Sequence, residues 1–112
     1  MNISYEGVGY LAVTMPTNGC SDGHVCGINF EGKVYSCPAG DMFFGVVVAT
    51  DGYRAHVQVE GFATVTYTGD GMIPGLLKLE CDGYGGVRVG NNGRVYLVAA
   101  VDTEKGTAVI KL

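Results

Sequence analysis

The fold is decided by the stretch FFGVVVAT-DG-YRAHVQV, which spans Phe43–Val59. Its first run is rich in β-branched and aromatic residues, and Asp51-Gly52 is typical of a type I′ hairpin turn. The second run alternates apolar and polar residues, which is typical of a half-buried strand. We expect one of its faces to be buried: Tyr53, Ala55, Val57 and Val59. We expect the other to face solvent: Arg54, His56, Gln58 and Glu60.

The same pattern extends in both directions from this hairpin. A second hairpin is predicted at the end of the chain, from Arg94–Val101 and Thr107–Leu112. Shorter strands are predicted at Val25–Phe30, Lys33–Cys37, Phe62–Thr68, Leu76–Cys81 and Val87–Val89. The chain has 19 glycines in 112 residues, and turn signals separate the runs every 8–12 residues. This predicts an all-β fold, a small single-domain β-sandwich or partly open β-barrel with short strands and tight hairpins.

The N-terminal segment is more loosely patterned. Ile3–Met15 alternates only approximately, and Pro16-Thr17-Asn18-Gly19 is expected to end it. We therefore expect residues 1–15 to form an extended arm or an edge strand, and residues 16–112 to form the β domain. Gly61 is expected at a turn or a bulge, because a strand pattern resumes directly after it.

Composition excludes several classes of partner. The chain is 47% hydrophobic and 16% charged, with a formal net charge of −4 and scattered basic residues. Nucleic-acid binding is therefore not expected. No export signal or spanning segment is visible, which predicts no membrane partner, synthesis in the cytoplasm and reduced thiols. The low share of charged residues favours a protein that buries further surface in an oligomer.

A zinc site is the first chemical alternative. Cys20, His24, Cys26 and Cys37 are of the right residue types, but no C-x₂-C pair is present. The spacing favours cysteines that act as small buried hydrophobes, so we expect no metal. Disulfide formation outside the cell stays a minor alternative.

Enzymatic and cofactor-dependent functions have equally weak support. His24 and His56 are the only histidines, and neither lies in a recognisable nucleophile motif. Gly83-Tyr84-Gly85-Gly86 leads into a strand instead of a helix, so phosphate binding is not expected. A lipoyl or biotin carrier needs a lysine at a hairpin tip, where this chain has Asp51-Gly52. The aspartates beside glycines have the Asx-turn pattern and lack calcium-loop spacing. We therefore expect a non-enzymatic protein without a cofactor.

Several local patterns, taken in order, resemble the tailed-phage capsid cement or head decoration proteins. They are Tyr5-Glu6-Gly7, Val13-Thr14 with Pro16, Pro38-Ala39-Gly40-Asp41, Phe44-Gly45-Val46-Val47, Val57–Gly61, Pro74-Gly75-Leu76-Leu77, the glycine cluster after Cys81 and the final hairpin. The resemblance covers most of the chain. The segment Gly19–Gly27 and the polar strand with Thr64, Thr66 and Thr68 depart from the family pattern.

This resemblance implies a function on the outside of a virion. It implies that the protein, often a trimer in this family, binds the major capsid protein on the capsid surface and stabilises the head. An N-terminal arm would then bind the capsid by adding a strand to a sheet edge, with Tyr5, Val8 and Tyr10 as contacts. An ordinary edge strand is the alternative for this segment. The alternative function is a small β-sandwich module that binds carbohydrate or peptide through exposed aromatic residues.

Overall fold

Every regular element that the structure describes is a β-strand. The structure, a computed structural model, describes residues 11–112, which contain ten strands. In chain order they are β1 (Leu11–Gly19), β2 (Val25–Ile28), β3 (Val34–Ser36), β4 (Gly45–Thr50), β5 (Arg54–Glu60), β6 (Phe62–Thr66), β7 (Gly75–Cys81), β8 (Val87–Val89), β9 (Arg94–Asp102) and β10 (Thr107–Lys111). The strands form two sheets of five, so the all-β prediction is confirmed.

The first five strands form a closed barrel in the order β1-β3-β2-β4-β5. The barrel is closed by β1, which runs antiparallel to β5 on one side and parallel to β3 on the other. Its interior holds five fully buried side chains: Cys26, Val34, Val47, Ala55 and Val57. None of them is larger than valine, because a barrel of so few strands leaves little space at its axis.

The last five strands form a curled sheet in the order β6-β10-β9-β7-β8, with antiparallel neighbours. Its two edges meet just after β6, where Tyr67 pairs with Val87 and the Thr68 N–H donates to the Val87 carbonyl (3.0 Å). Gly86 permits this approach, because a Cβ atom there would lie 2.3 Å from the Thr66 carbonyl oxygen. The curled sheet is thus joined at one point, beside the closed barrel.

The main core lies between the barrel and the curled sheet. Val25, Phe43 and Val46 from the barrel half share it with buried residues of all five C-terminal strands. The Tyr96 ring stacks on the Phe43 ring with centroids 4.7 Å apart, and its hydroxyl donates to the Phe43 carbonyl (2.8 Å). Since this core uses both halves, the described residues form one packed unit.

The chain passes from the barrel to the curled sheet at Gly61, between β5 and β6. The Gln58 amide spans this crossing and donates to the carbonyls of Glu60 (3.0 Å) and Phe62 (2.9 Å). Gln58 is therefore buried, and the prediction that it faces solvent is wrong. Tyr53, expected to be buried, is exposed because it belongs to the turn instead of the strand. Arg54, His56 and Glu60 are exposed as predicted, Ala55 and Val57 are buried, and Val59 is partly buried.

Two local predictions need correction. The Asp51-Gly52 turn is not of type I′, because that type needs positive φ at both central residues and here only Gly52 has it (92°). Instead the Asp51 carboxylate accepts the N–H groups of Tyr53 and Arg54, both at 2.8 Å. Pro16 also does not end its strand. The Thr17 N–H donates to the Tyr53 carbonyl, just before β5 (3.1 Å), so the nitrogen of Pro16 faces the opposite side. Pairing with β3 on that side begins only at Thr17, so Pro16 interrupts no hydrogen bond there.

The N-terminal segment overlaps the barrel. Strand β1 runs through the expected boundary between residues 15 and 16, so residues 11–15 belong to a barrel strand. Tyr5, Val8 and Tyr10, the predicted capsid contacts, lie outside the described residues.

Candidate interaction surface

The side of the curled sheet that faces away from the core exposes apolar side chains. We call it the outer face, and among the described residues it includes Phe62, Thr64, Leu76, Lys78, Val95, Leu97, Ala100, Val109 and Lys111. Leu76 is 73% exposed, Val95 51% and Leu97 38%. Leu76 and Leu97 lie directly opposite each other on neighbouring strands. Exposed apolar residues that lie side by side, unlike scattered ones, mark interaction surfaces.

Strand alternation produces the outer face. In β9 the buried Tyr96 and Val98 alternate with the exposed Val95 and Leu97, because successive side chains point to opposite faces of a sheet. In β7 the same alternation exposes Leu76. The sequence prediction identified both strands but not this surface. The alternation of β9 was the available signal, although it does not say which face meets the core.

Two lysines border the exposed leucines. Lys111 of β10 lies opposite Leu97, and Lys78 of β7 lies opposite Val95. The ion pairs within residues 11–112 are Glu31–Lys33 and Glu80–Arg88. Both outer-face lysines are exposed and belong to neither pair.

The Glu80 carboxylate of β7 is taken up by its own neighbours. Arg88 lies opposite on β8 and donates to Glu80 Oε2 through Nε (2.9 Å) and Nη2 (2.8 Å). The Asn92 N–H donates to Oε1 (3.3 Å), and the Glu80 side chain is buried. The negative charge of Glu80 is therefore neutralised locally and does not balance Lys78 or Lys111.

A second exposed apolar feature is the tip of the β2–β3 hairpin. Phe30 is fully exposed there. Asn29 fixes the turn, because its side-chain oxygen accepts the N–H groups of Glu31 (2.9 Å) and Lys33 (3.0 Å). The tip therefore holds an aromatic ring in solvent on an ordered turn.

A cleft of about 500 Å³ lies where the barrel meets the curled sheet. It is lined by Ser21, His24, Ser36, Cys37, Pro38, Gly83, Tyr84 and Gly85. His24 Nδ1 lies 3.5 Å from the Ser36 hydroxyl, and Tyr84 is strongly exposed. The lining contains no Asp, Glu, Lys or Arg among the described residues, so the cleft suits an uncharged ligand better than an ion.

The glycine-rich loop beside this cleft is organised by Asp82. Its buried carboxylate accepts the N–H groups of Tyr84 (2.7 Å) and Gly86 (3.0 Å) through Oδ1, and the Thr68 hydroxyl (3.1 Å) through Oδ2. The carbonyl of Gly85 accepts the Val25 N–H of the barrel (2.9 Å). The loop thus supports the contact between the two sheets.

The cysteines are divided between the two halves of the core. All four are free thiols; Cys26 lies inside the barrel, and Cys37 and Cys81 lie in the main core. Burial raises the pKa of the Cys26 thiol to about 12, and hydrogen bonding to Cys37, followed by burial, raises the pKa of Cys81. The Thr17 hydroxyl lies 3.2 Å from the Cys20 sulfur. Within residues 11–112, no three His, Cys, Asp or Glu side chains come together as a metal site.

His56 lies on the surface of the barrel, as an exposed residue of β5. Its Nδ1 is 3.1 Å from the Thr14 hydroxyl, and both residues line a shallow groove of about 390 Å³ with Thr50, Asp51 and Arg54. The two histidines therefore line different clefts.

Comparison with known proteins adds no family assignment. No protein family, no curated protein and no solved structure matches the chain. In the part of the chain that the structure describes, no helix has the length and apolar character needed to span a membrane.

Proposed function

We propose that the protein is a non-enzymatic decoration protein of a tailed-phage capsid. It binds the major capsid protein on the outer surface of the head, as part of a homo-oligomer with three subunits, and stabilises the shell. The observation that carries this proposal is the outer face, where Leu76, Val95 and Leu97 lie together in solvent. A surface of this kind favours a protein whose function is contact with another protein.

The sequence patterns support the major capsid protein as the partner. They resemble those of the decoration family, in the same order along most of the chain. In addition, only 16% of the residues are charged, which fits a protein that buries much of its surface in an assembly. The experiment is co-sedimentation of the purified protein with heads assembled from the major capsid protein encoded near its gene. We expect saturable binding and a higher disruption temperature of the heads. Absence of binding at micromolar protein would contradict the proposal.

A second candidate function has one specific observation in its favour. Tyr84 is exposed at the rim of the cleft that also contains His24, Ser21 and Ser36. An aromatic ring beside hydroxyl and imidazole groups fits an uncharged saccharide, which stacks on the ring and forms hydrogen bonds at its edge. This would make the protein a small carbohydrate-binding module.

Titration with maltose, galactose and N-acetylglucosamine, followed by NMR, tests this second candidate. Binding predicts shift changes in residues 21–24 and 83–86 that disappear in Tyr84→Ala. Tyr53→Ala is the matched control, because Tyr53 is equally exposed but does not line the cleft. No shift changes at about 10 mM of each sugar, roughly tenfold above a Kd of 1 mM, would exclude this second function.

A further inference from the structure

The outer face differs from the rest of the chain in its charge. The protein carries a formal net charge of −4, yet the rows around Leu76 and Leu97 contain Lys78 and Lys111 and no carboxylate that lacks a local partner. Glu80, the acidic residue of β7, is bound by Arg88. The Leu76 and Leu97 side chains are therefore flanked by positive charge at Lys78 and Lys111.

Asp102, the other acidic residue of β7, β9 and β10, also has hydrogen-bond partners close by in the chain. Asp102 lies at the far end of β9, and its carboxylate accepts the N–H groups of Glu104 and Lys105, both at 3.1 Å. Asp102 pairs with Thr107, at the opposite end of β10 from Lys111. It thus caps the β9–β10 turn and does not neutralise the lysines beside the leucines.

We propose that the outer face docks on an apolar patch of the major capsid protein that is bordered by carboxylates. Leu76 and Leu97 are the apolar anchors, and Lys78 and Lys111 pair with the acidic border. This inference rests on the proposed function and identifies the surface and the chemistry of its contact. Apolar residues at the centre of an interface with charged residues at the rim are the usual arrangement of specific protein contacts.

Charge also argues against the other occupants. Two copies joined face to face would present the same two lysines on both sides of the contact, since such an interface uses the same patch twice. A nucleic acid would attract the two lysines, but it presents charged phosphates instead of an apolar surface to Leu76 and Leu97. A protein patch with an acidic border suits both the leucines and the lysines.

Co-sedimentation with the assembled heads also tests this inference. The first variant, Leu76→Ser with Leu97→Ser, removes the anchors, and the second, Lys78→Glu with Lys111→Glu, reverses the border. We expect each to weaken head binding roughly tenfold or more, the size of a hot-spot loss. Wild-type binding should weaken between about 50 and 500 mM NaCl, whereas binding of the lysine variant should strengthen, because salt screens the new repulsion between like charges.

Matched controls come from other exposed positions. Val48→Ser changes an exposed apolar residue of the barrel, and Lys105→Glu changes an exposed lysine of the β9–β10 loop. We expect both to bind heads within about twofold of wild type, as for residues outside an interface. Circular dichroism and thermal unfolding verify that all variants fold. If the double serine variant does not fold, Leu76→Lys replaces it in the binding experiment.

The outcomes separate the two proposals. If the wild-type protein does not bind heads, the proposed function fails and this inference fails with it. If wild type binds and the outer-face variants bind equally well, the function stands and the inference is wrong. The inference would also be wrong if the wild type sedimented with vesicles of roughly 30% phosphatidylserine, a model of an anionic leaflet, and the lysine variant did not. An outer-face variant that dissociates the free oligomer would overturn it as well.

Discussion

The closed barrel and the curled sheet distribute their exposed apolar residues differently. In the described strands of the barrel, the exposed large hydrophobic residues are Leu11, Ile28 and Val48, each on a different strand and none above 48% exposure. In the curled sheet, Leu76 reaches 73% and faces Leu97 across a strand pair. A closed barrel needs one side of its strands for its own interior and part of the other for the main core. The curled sheet packs one side and leaves the other available to a partner.

The largest expected effect tests this difference within one strand. Leu79→Ala empties a fully buried position of the main core and should lower the free energy of unfolding by about 2–5 kcal/mol. Leu76→Ala, three residues earlier on the outer face, should change it by less than about 0.5 kcal/mol. Urea unfolding followed by circular dichroism measures both. A similar cost at the two positions would show that the outer face is structural.

The next effect concerns the edges of the curled sheet. Gly86→Ala places a Cβ against the Thr66 carbonyl and should separate β8 from the end of β6, at a cost of about 1–3 kcal/mol. The Thr68 N–H, which bonds to Val87 across this edge, should then exchange with solvent faster. Hydrogen exchange by NMR measures this rate. Unchanged protection of Thr68 would mean that the edges are held elsewhere.

A smaller effect is expected at the crossing between the two regions. Gln58→Leu removes the amide that donates hydrogen bonds to the Glu60 and Phe62 carbonyls. It should lower the free energy of unfolding by about 1–2 kcal/mol. His56→Leu changes an exposed residue of the same strand and is the control, with an expected change below about 0.5 kcal/mol. Chemical denaturation compares the two. Equal stabilities would show that the crossing does not depend on Gln58.

The smallest effect is a pH dependence of the barrel turn. Hydrogen bonds from the Arg54 and Tyr53 N–H groups lower the pKa of the Asp51 carboxyl below its ordinary value of 3.8. Folding thus favours the charged carboxylate. Its contribution to the free energy of unfolding is fully present above pH 3.8 and is lost as the pH falls through the lowered pKa of the folded protein. The stability difference between wild type and Asp51→Asn should shrink in that range. NMR titration of the carboxyl and unfolding between pH 5 and pH 2 (roughly bracketing carboxyl titration) measure it; a constant difference would contradict the assignment.

Strand positions were predictable because they depend on local alternation. The hairpin of β9 and β10 and the pairing of β4 with β5 follow from runs such as Thr107–Leu112 and their turn residues. The predicted strand Val25–Phe30 ends early at Ile28, since the Asn29 side chain fixes a turn there. Local patterns thus gave the strands within a few residues.

Long-range features were not predictable from the same patterns. The burial of Gln58 follows from the crossing at Gly61, and the parallel pairing of β1 with β3 follows from barrel closure. The outer face has the same origin. The run Leu76-Leu77-Lys78-Leu79 does not say which leucine is covered, because that depends on where the barrel packs.

The division of the chain at Gly61 has a consequence for how the protein acquires its structure. All barrel strands precede Gly61, so a growing chain can begin closing the barrel before the strands of the curled sheet have been made. Closure requires β1 to find β5, a contact between distant parts of the chain, and such contacts form slowly. During that interval Val25, Phe43 and Val46 have no partner from the curled sheet. The nascent barrel is therefore most exposed to aggregation on the same side that later becomes the main core.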